Sequence, residues 1–436
     1  MPKASLHTLG CRLNQAETAI IANSLAARGY EIVEFGETAE VTVINTCTVT
    51  EQADAKCRQA VRQALRVNPA AFVAVVGCYA QHSVSAIAAI PGVDLVIGNE
   101  HKLRVGEFLG TLQKRPAAEI VHSLRLPETE FTIETAGLYS FNTRANLKIQ
   151  DGCNHFCSFC IIPTVRGRAR SRQFEDIMRE ARSLAAAGHR ELVLTGVNIG
   201  TYKNDGKTLL KIIEGLETVD GVERIRISSI EPTTIGMELV RYMATSPKLC
   251  RYLHIPIQSG DDRILRAMRR KHTIAPFAKF IEWTVKQVPE IGLGTDVMVG
   301  FPGETDQEFA NTREMLTELP FAYFHVFTYS DRPGTPSYAL KPKVPHQVKK
   351  ERTRNLIELS ARKRRAFGAA YLGRTAEVLF ETIEGERWAG YTDNYLRVHV
   401  DSETPLENQV LPIRLTALSR DGLIGEVATG SKATVA

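Results

Sequence analysis

A chain of 436 residues is too long for one ordinary core and implies two to four domains. Its 44% hydrophobic and 24% charged residues fit a globular protein. It has no charged-then-apolar leader and no long uncharged apolar run, so secretion and membrane spanning are not expected and the cytoplasm is the default compartment. The net charge of +5 is unevenly placed: residues 341–374 carry +9 and the rest sums to −4. A basic stripe on an otherwise acidic chain points to a polyanionic partner.

The fold class is α/β, in three segments. In residues 1–115, short apolar runs (Ala4–Leu9, Val41–Asn45, Ala71–Gly77) alternate with helical stretches at Glu17–Arg28 and Ala53–Val67, as in a small parallel sheet covered by helices. A loop with Pro116 and Pro127 leads out of it. Residues 139–368 repeat the rhythm. Strands are expected at Leu147–Gln150, Glu191–Thr195, Arg224–Ser229, Tyr252–Ile257, Gly292–Val299 and Ala322–Tyr329, with helices between them such as Phe174–Ala187 and Asp262–Arg270. Six βα units suggest a partial (β/α)6 barrel. Residues 371–434 switch period. Five short stretches (Thr375–Phe380, Arg387–Tyr391, Tyr395–Val400, Val410–Leu418, Leu423–Val427) suit a small OB-like β-barrel.

Eight cysteines in a reducing compartment point to metal or catalytic duty rather than disulfides. Cys153, Cys157 and Cys160 share one loop just past a strand end, where (β/α) barrels build their sites. Three thiolates in C-x-x-x-C-x-x-C spacing leave one iron of a [4Fe–4S] cube free for a small molecule. The alternatives are a structural zinc site, for which His155 is too near in sequence to complete a tetrahedron, or buried thiols. Cys11, Cys47 and Cys78 are far apart, yet each follows a strand, and such ends line one crevice in an open parallel sheet. They form a second candidate triplet, the alternative being three unrelated core residues. Cys57 shares a helical stripe with Ala53, Ala60, Val61 and Ala64 and is assigned to packing, as is Cys250.

The loop Asp151–Cys160 and its barrel resemble the radical S-adenosylmethionine superfamily. That resemblance implies a cluster whose open iron holds the cofactor's methionine moiety, with Phe159 as the usual aromatic before the last cysteine. The family's Gly-Gly-Glu contact appears here as Thr195-Gly196-Val197. The motifs around Cys11 (Thr8–Gln15), Cys47 (Asn45–Thr50) and Cys78 (Gly77–Gln81), with the order of the segments, resemble the methylthiotransferase family within it, most closely the group acting on threonylcarbamoyladenosine. The resemblance implies two [4Fe–4S] clusters, S-adenosylmethionine as methyl donor and radical source, and a terminal RNA-binding barrel (a TRAM domain). It also implies transfer RNA, at its anticodon stem-loop, as substrate, and an electron donor such as flavodoxin or ferredoxin; the sulfur donor is left open.

Polar residues at strand ends, Asn198, Ser228, Ser229, Gln258, Ser259 and Asp296, suit cofactor or substrate duty. So does Gly300–Glu304, whereas Asp261 reads as a helix cap. Arg166, Arg168, Arg170 and Arg172 are either contacts to RNA phosphate or cofactor carboxylate, or a solvated charge run. Lys349, Lys350, Arg364 and Arg365 on a basic helix are expected to meet RNA, with Tyr391 and Tyr395 as stacking platforms and Trp388 in the core. Competing readings are the same chemistry on isopentenyladenosine or a ribosomal-protein aspartate, and a non-catalytic iron–sulfur sensor that binds RNA. A cobalamin enzyme is disfavoured, since no Asp-x-His-x-x-Gly loop is present.

Overall fold

The computed structural model describes residues 1–47, 51–134, 136–137 and 143–428, without the side chains of 51–54. Thr48-Val49-Thr50 of the second cysteine motif, the Ala53 side chain and the expected limits at 139 and 434 lie outside the described residues.

Six parallel strands form the first sheet: β1 (Lys3–Thr8), β2 (Glu31–Val33), β3 (Val41–Thr46), β4 (Phe72–Gly77), β5 (Leu95–Ile97) and β6 (Glu119–Val121), in the order β2-β1-β3-β4-β5-β6. Every residue of β3 and β4 is buried, as continuous apolar runs demand of central parallel strands. Helix α1 (Arg12–Ala26) packs Ile21 and Leu25 on one face of this sheet, and α2 (Glu51–Val67) packs Cys57 and Val61 on the other. The packing role expected of Cys57 holds. Helices α3 (Cys78–His82) and α4 (Val84–Ala88) follow β4. β6 pairs with β5 beyond the boundary read near 115, because Asp94 accepts the Glu119 N–H and draws the chain back to the sheet edge.

The second unit carries six parallel strands: β7 (Ala145–Lys148), β10 (Glu191–Thr195), β13 (Arg224–Ile227), β14 (Tyr252–His254), β15 (Gly292–Val299) and β16 (Tyr323–Thr328). Between them lie the small pair β8 (Gln150–Asp151) with β9 (Arg170–Ser171), and the hairpin β11 (Lys203–Asn204) with β12 (Lys207–Thr208). Sheets β13-β10-β7 and β14-β15-β16 join through a parallel bridge from Ser229 to His254, giving the expected partial barrel. Helices α5 (Ile162–Arg166), α6 (Phe174–Ala186), α7 (Leu209–Glu217), α8 (Met237–Thr245), α9 (Asp262–Ala267), α10 (Ile274–Gln287) and α11 (Asp306–Glu318) fill the connections. Asp261 caps α9 as expected, accepting the N–H groups of Arg263 and Ile264. The open edges are covered from elsewhere: α1 packs against β7, and the long α12 (His346–Ala369) against β16.

The third unit is a closed barrel of β17 (Thr375–Glu384), β18 (Arg387–Thr392), β19 (Arg397–Val400), β20 (Val410–Leu418) and β21 (Leu423–Val427), in the order β17-β18-β19-β21-β20. Trp388 packs, partly buried, against its core. The barrel sits on the amino ends of the β/α strands. Arg226 is completely buried there, donating to the carbonyls of Thr392 and Asp393 and to both oxygens of Glu191. Burial alone would raise the Glu191 carboxyl, but Arg226 outweighs it and holds the group at about 2, against 4.5 unfolded. Its stabilisation is therefore complete above pH 4.5 and is lost as pH falls towards 2. Arg226→Ala leaves Glu191 buried without its main partner, and a loss of about 3–5 kcal/mol is expected at pH 7 in urea denaturation. An unchanged midpoint would show that the barrel is docked by other contacts.

Candidate functional site

Parallel pairing of β1, β3 and β4 brings three strand ends side by side. Cys11, Cys47 and Cys78 are the residues at or just past them. Gly10 turns the chain at φ +113°; a Cβ there would meet Cys47 Cβ at 2.6 Å and its Sγ at 3.1 Å. Only glycine allows the first and second cysteines to approach so closely. Asn14 fastens the same ends, donating to the carbonyls of Leu9 (2.7 Å) and Thr46 (3.0 Å), with its Oδ1 3.8 Å from Cys11 Sγ. Thr46 ties β4 in by donating to Val76 and accepting the Tyr79 N–H.

The second triplet lies on the loop after β7–β8. Gly152 (φ +71°) closes that loop, since a Cβ there would fall 1.9 Å from the Arg168 carbonyl oxygen. The His155 N–H points at Cys153 Sγ (3.4 Å), and Arg270 Nη1 lies 3.5 Å from Cys157 Sγ while its other nitrogen pairs with Glu231 at 2.6 Å. Burial raises the Cys153 thiol and pushes Cys160 up to about 12. A metal replacing the proton reverses that preference, and a thiolate-ligated iron–sulfur cluster is anionic as a whole, so the thiols, the Arg270 charge and the glycine-closed loop fit such a cluster. Cys250 differs: it is buried alone, with its thiol also pushed to about 12 by burial, and keeps its structural assignment.

One residue of the first triplet reaches the chain that follows the second. Cys78 packs against Ile161, the neighbour of Cys160, and against Val165. Asn99 donates to the Val165 carbonyl at 2.6 Å and lies 3.8 Å from Cys78 Sγ. Beneath this contact Glu17, fully buried on α1, accepts from Lys102 (2.5 Å), Lys148 (2.7 Å) and Arg166 (2.9 and 3.1 Å). Asp151 accepts from Lys148 (2.7 Å) and Arg166 (3.1 Å), and its Oδ1 also takes the Gly152 N–H. Burial alone would raise the Glu17 carboxyl, but its three cations hold it well below the usual range.

Arg166 therefore corrects the sequence reading: it is an interior tie, bonded also to Asn14 Oδ1 at 2.7 Å, and does not face RNA or cofactor. Arg172 is likewise buried, on Asp176 and Glu180, so the alternating arginines are neither a solvated run nor a common binding face. Arg168 alone of the four is exposed, 4.5 Å from the Phe156 ring centre.

A cavity of about 500 Å³ opens where the three units meet, lined by Arg12 of α1, Ser228, His254, Asp296 and His325 of the β/α barrel, and Tyr395 of the terminal barrel. Of the expected cofactor contacts, Ser228 and Asp296 line it. Phe159 instead packs with Phe301 and Tyr329. Thr195 and Gly196 turn beside Gln150, whose Oε1 accepts the N–H groups of Val197 and Asn198. Asn198 Nδ2 is buried with no hydrogen-bond partner, a donor a ligand can take. Gln258 adopts φ +75° and pairs its backbone with Asp296 and Met298. Ser259 is buried on Thr312, and Glu304 is buried on Gly300 and Arg352. Of the basic helix, Arg364 and Arg365 reach the cavity mouth, whereas Lys349 and Lys350 lie roughly 22 Å away along α12. Asn14, Glu17, Lys102 and Lys148 were missed. Glu17 left one signal, an acid one turn from Leu13 and Ile20 on the apolar face of α1.

A β/α half-barrel carrying three thiols on its first loop defines the radical S-adenosylmethionine class. Residues 147–316 match the Radical SAM superfamily model, and residues 3–98 match the Uncharacterized protein family UPF0004. The threonylcarbamoyladenosine tRNA methylthiotransferase MtaB of Bacillus subtilis (strain 168) is 40% identical over 425 residues, spanning 95% of this chain and 94% of that one. The protein so named in Aquifex aeolicus (strain VF5) is 40% identical, spanning 91% and 96%. A tRNA-2-methylthio-N(6)-dimethylallyladenosine synthase of Cereibacter sphaeroides (strain ATCC 17023) is 35% identical, spanning 97% and 98%. Among solved structures, the radical S-adenosylmethionine methyltransferase TsrM from Kitasatospora setae aligns with TM-score 0.55 over 77% of each chain at 13% identity, a likeness of fold alone. The chain belongs to the radical S-adenosylmethionine methylthiotransferase family.

Glu17→Gln removes the charge shared by three buried cations, so roughly 3–5 kcal/mol of stability should be lost. Hydrogen exchange is expected to rise first at 9–18 and 151–166, the strands of chain that meet there. Faster exchange confined to other regions would contradict this role.

Proposed function

We propose that the protein inserts a methylthio group at C2 of N6-threonylcarbamoyladenosine at position 37 of transfer RNA, next to the anticodon. The observation that carries the reading is the contact of Cys78, in one triplet, with Ile161, next to Cys160 in the other, across one domain junction. Cys153, Cys157 and Cys160 hold one [4Fe–4S] cluster with an open iron for S-adenosylmethionine, and Cys11, Cys47 and Cys78 hold a second. When bound, these groups supply the one-electron and sulfur-transfer chemistry that no side chain here provides.

The chain's own residues bind and position. Asn198 offers its unused amide to the cofactor, while Ser228 and Asp296 face it from the cavity wall. Phe159 packs on Phe301 and Tyr329 beside the cluster loop, and the turns at Thr195-Gly196 and Gln258 follow the ends of their strands. Arg168, Lys349, Lys350, Arg364 and Arg365 attract the anticodon stem-loop, with the terminal barrel as a further RNA surface. A flavodoxin- or ferredoxin-like protein supplies electrons. The threonylcarbamoyl substrate is supported by the 40% identity to relatives named for it. No helix among the described residues is long and apolar enough to cross a membrane.

Anaerobically reconstituted protein is expected to carry about eight irons per chain, and Cys11→Ala about four, given one four-iron cube per triplet. Equal iron in both would refute the second cluster. Nucleoside mass spectrometry of transfer RNA from a deletion strain should show loss of the methylthio form of threonylcarbamoyladenosine; loss of the dimethylallyl form instead would reassign the substrate.

A further inference from the structure

The cavity at the meeting of the three units has a charge pattern that its neighbours do not account for. Arg12 follows Cys11 directly and is half-buried; its Nη2 donates to Tyr395 Oη at 2.6 Å and its guanidinium lies 5.7 Å from the Tyr395 ring centre. Arg364 lies 5.1 Å from the Tyr323 ring centre at the opposite wall. Among the described residues no carboxylate lies within ion-pair distance of Arg12, Arg364 or Arg365. The acids nearby are engaged elsewhere: Asp296 Oδ1 sits 2.9 Å from His254 Nε2, and Asp421 faces Arg397 and His399. A half-buried guanidinium without a counter-charge is a site waiting for an anion.

Between these arginines lies an aromatic stack. Tyr395 stacks on Tyr252 (4.6 Å between centres) and Tyr391 (4.8 Å), and Tyr323 lies 6.4 Å off, with its hydroxyl 2.5 Å from that of Tyr252. His325 projects beside them, 5.2 Å from Tyr323 and 5.5 Å from His254. Burial first, then His254, keeps the His325 pKa below its ordinary value, so the ring is a neutral hydrogen-bonding group at pH 7. Aromatic rings suit a nucleobase. Two unpaired cations do not suit an isoprenoid chain, which offers them no charge. They suit a base whose substituent carries a carboxylate.

We propose that this cavity is the specificity pocket for the substituted adenine, with Arg12 and Arg364 binding the carboxylate of its N6 amino-acid substituent and His325 hydrogen-bonding the same group. The proposal rests on the threonylcarbamoyl reading above and adds the residues that select it. Since Arg12 adjoins Cys11, the pocket also sets the base beside the first triplet. A backbone phosphate of the RNA has the same anionic chemistry, so the test must separate the two sources.

The test is equilibrium binding of the cluster-loaded full chain to three synthetic anticodon stem-loops. One carries threonylcarbamoyladenosine, one the same urea with the carboxylate replaced by hydrogen, and one plain adenosine. Wild type is expected to prefer the first over the second by about tenfold or more, the size of a charged hydrogen bond. Arg12→Gln and Arg364→Gln should each bring that ratio towards one, the loss of affinity falling mainly on the threonylcarbamoyladenosine RNA and only a smaller, shared loss on plain RNA reflecting the general attraction of the stem-loop. Arg364, exposed and carried by α12 rather than by either cysteine-bearing segment, keeps the test sound if Arg12→Gln disturbs its neighbour. Equal wild-type affinity for the first two RNAs overturns the proposal. So does uniform weakening of all three by the variants, which would make the arginines phosphate contacts. Methylthiolation of dimethylallyladenosine RNA, but not threonylcarbamoyladenosine RNA, by the wild type would instead overturn the substrate reading beneath it.

Discussion

Glu17 holds the site together. It is one carboxylate, fully buried, bonded by cations from two units: Lys102 from its own domain, and Lys148 and Arg166 from the β/α barrel. Neither unit alone satisfies this arrangement. Without the barrel, Glu17 keeps only Lys102; without α1, Lys148 and Arg166 crowd on Asp151. A buried charge missing its partner costs several kcal/mol, so the two units are held at one mutual position. That position sets the cysteine loops face to face, because Asn14 on α1 fastens the first triplet's strand ends and Arg166 closes the helix that follows Cys160.

The same helix does a second task. α1 begins at Arg12, just after Cys11, and runs along β7, so the edge left open by a half-barrel becomes a wall. At the other edge α12 uses Arg352 on Glu304 and Lys363 on the carbonyls of Thr317 and Leu319 to dock, leaving Arg364 and Arg365 free at the cavity mouth. Below, the terminal barrel sends Tyr395 upward at φ +70°, seated on the Arg226–Glu191 pair. Three domains, each with its own main core and joined by only small apolar clusters, thus line one cavity.

The fold was legible where it depends on local pattern. Fully buried parallel strands such as β4 and β10 read as apolar runs, the switch to short alternating strands after 371 marked the closed barrel, and strand-end placement linked Cys11, Cys47 and Cys78. The three-residue strands β2, β5 and β6 were not legible, since three residues carry no period and pairing alone makes them strands. Long-range polar ties were equally hidden. Arg166 sits in an arginine-rich run that looks solvated, and nothing local says that its partner is Glu17, 149 residues away. Arg12 and His325 are single residues whose meeting depends on packing between units.

The central claim is that the two cysteine triplets, each proposed to hold a cluster, are held close to one another across the Glu17 junction. Electron paramagnetic resonance of the fully reduced, cluster-loaded protein tests it most directly, because two paramagnets held close broaden and split each other's signals. Mutual broadening is expected, with a single sharp spectrum returning once the first triplet is disabled by Cys47→Ala. Two sharp, independent signals from the intact protein would contradict that closeness.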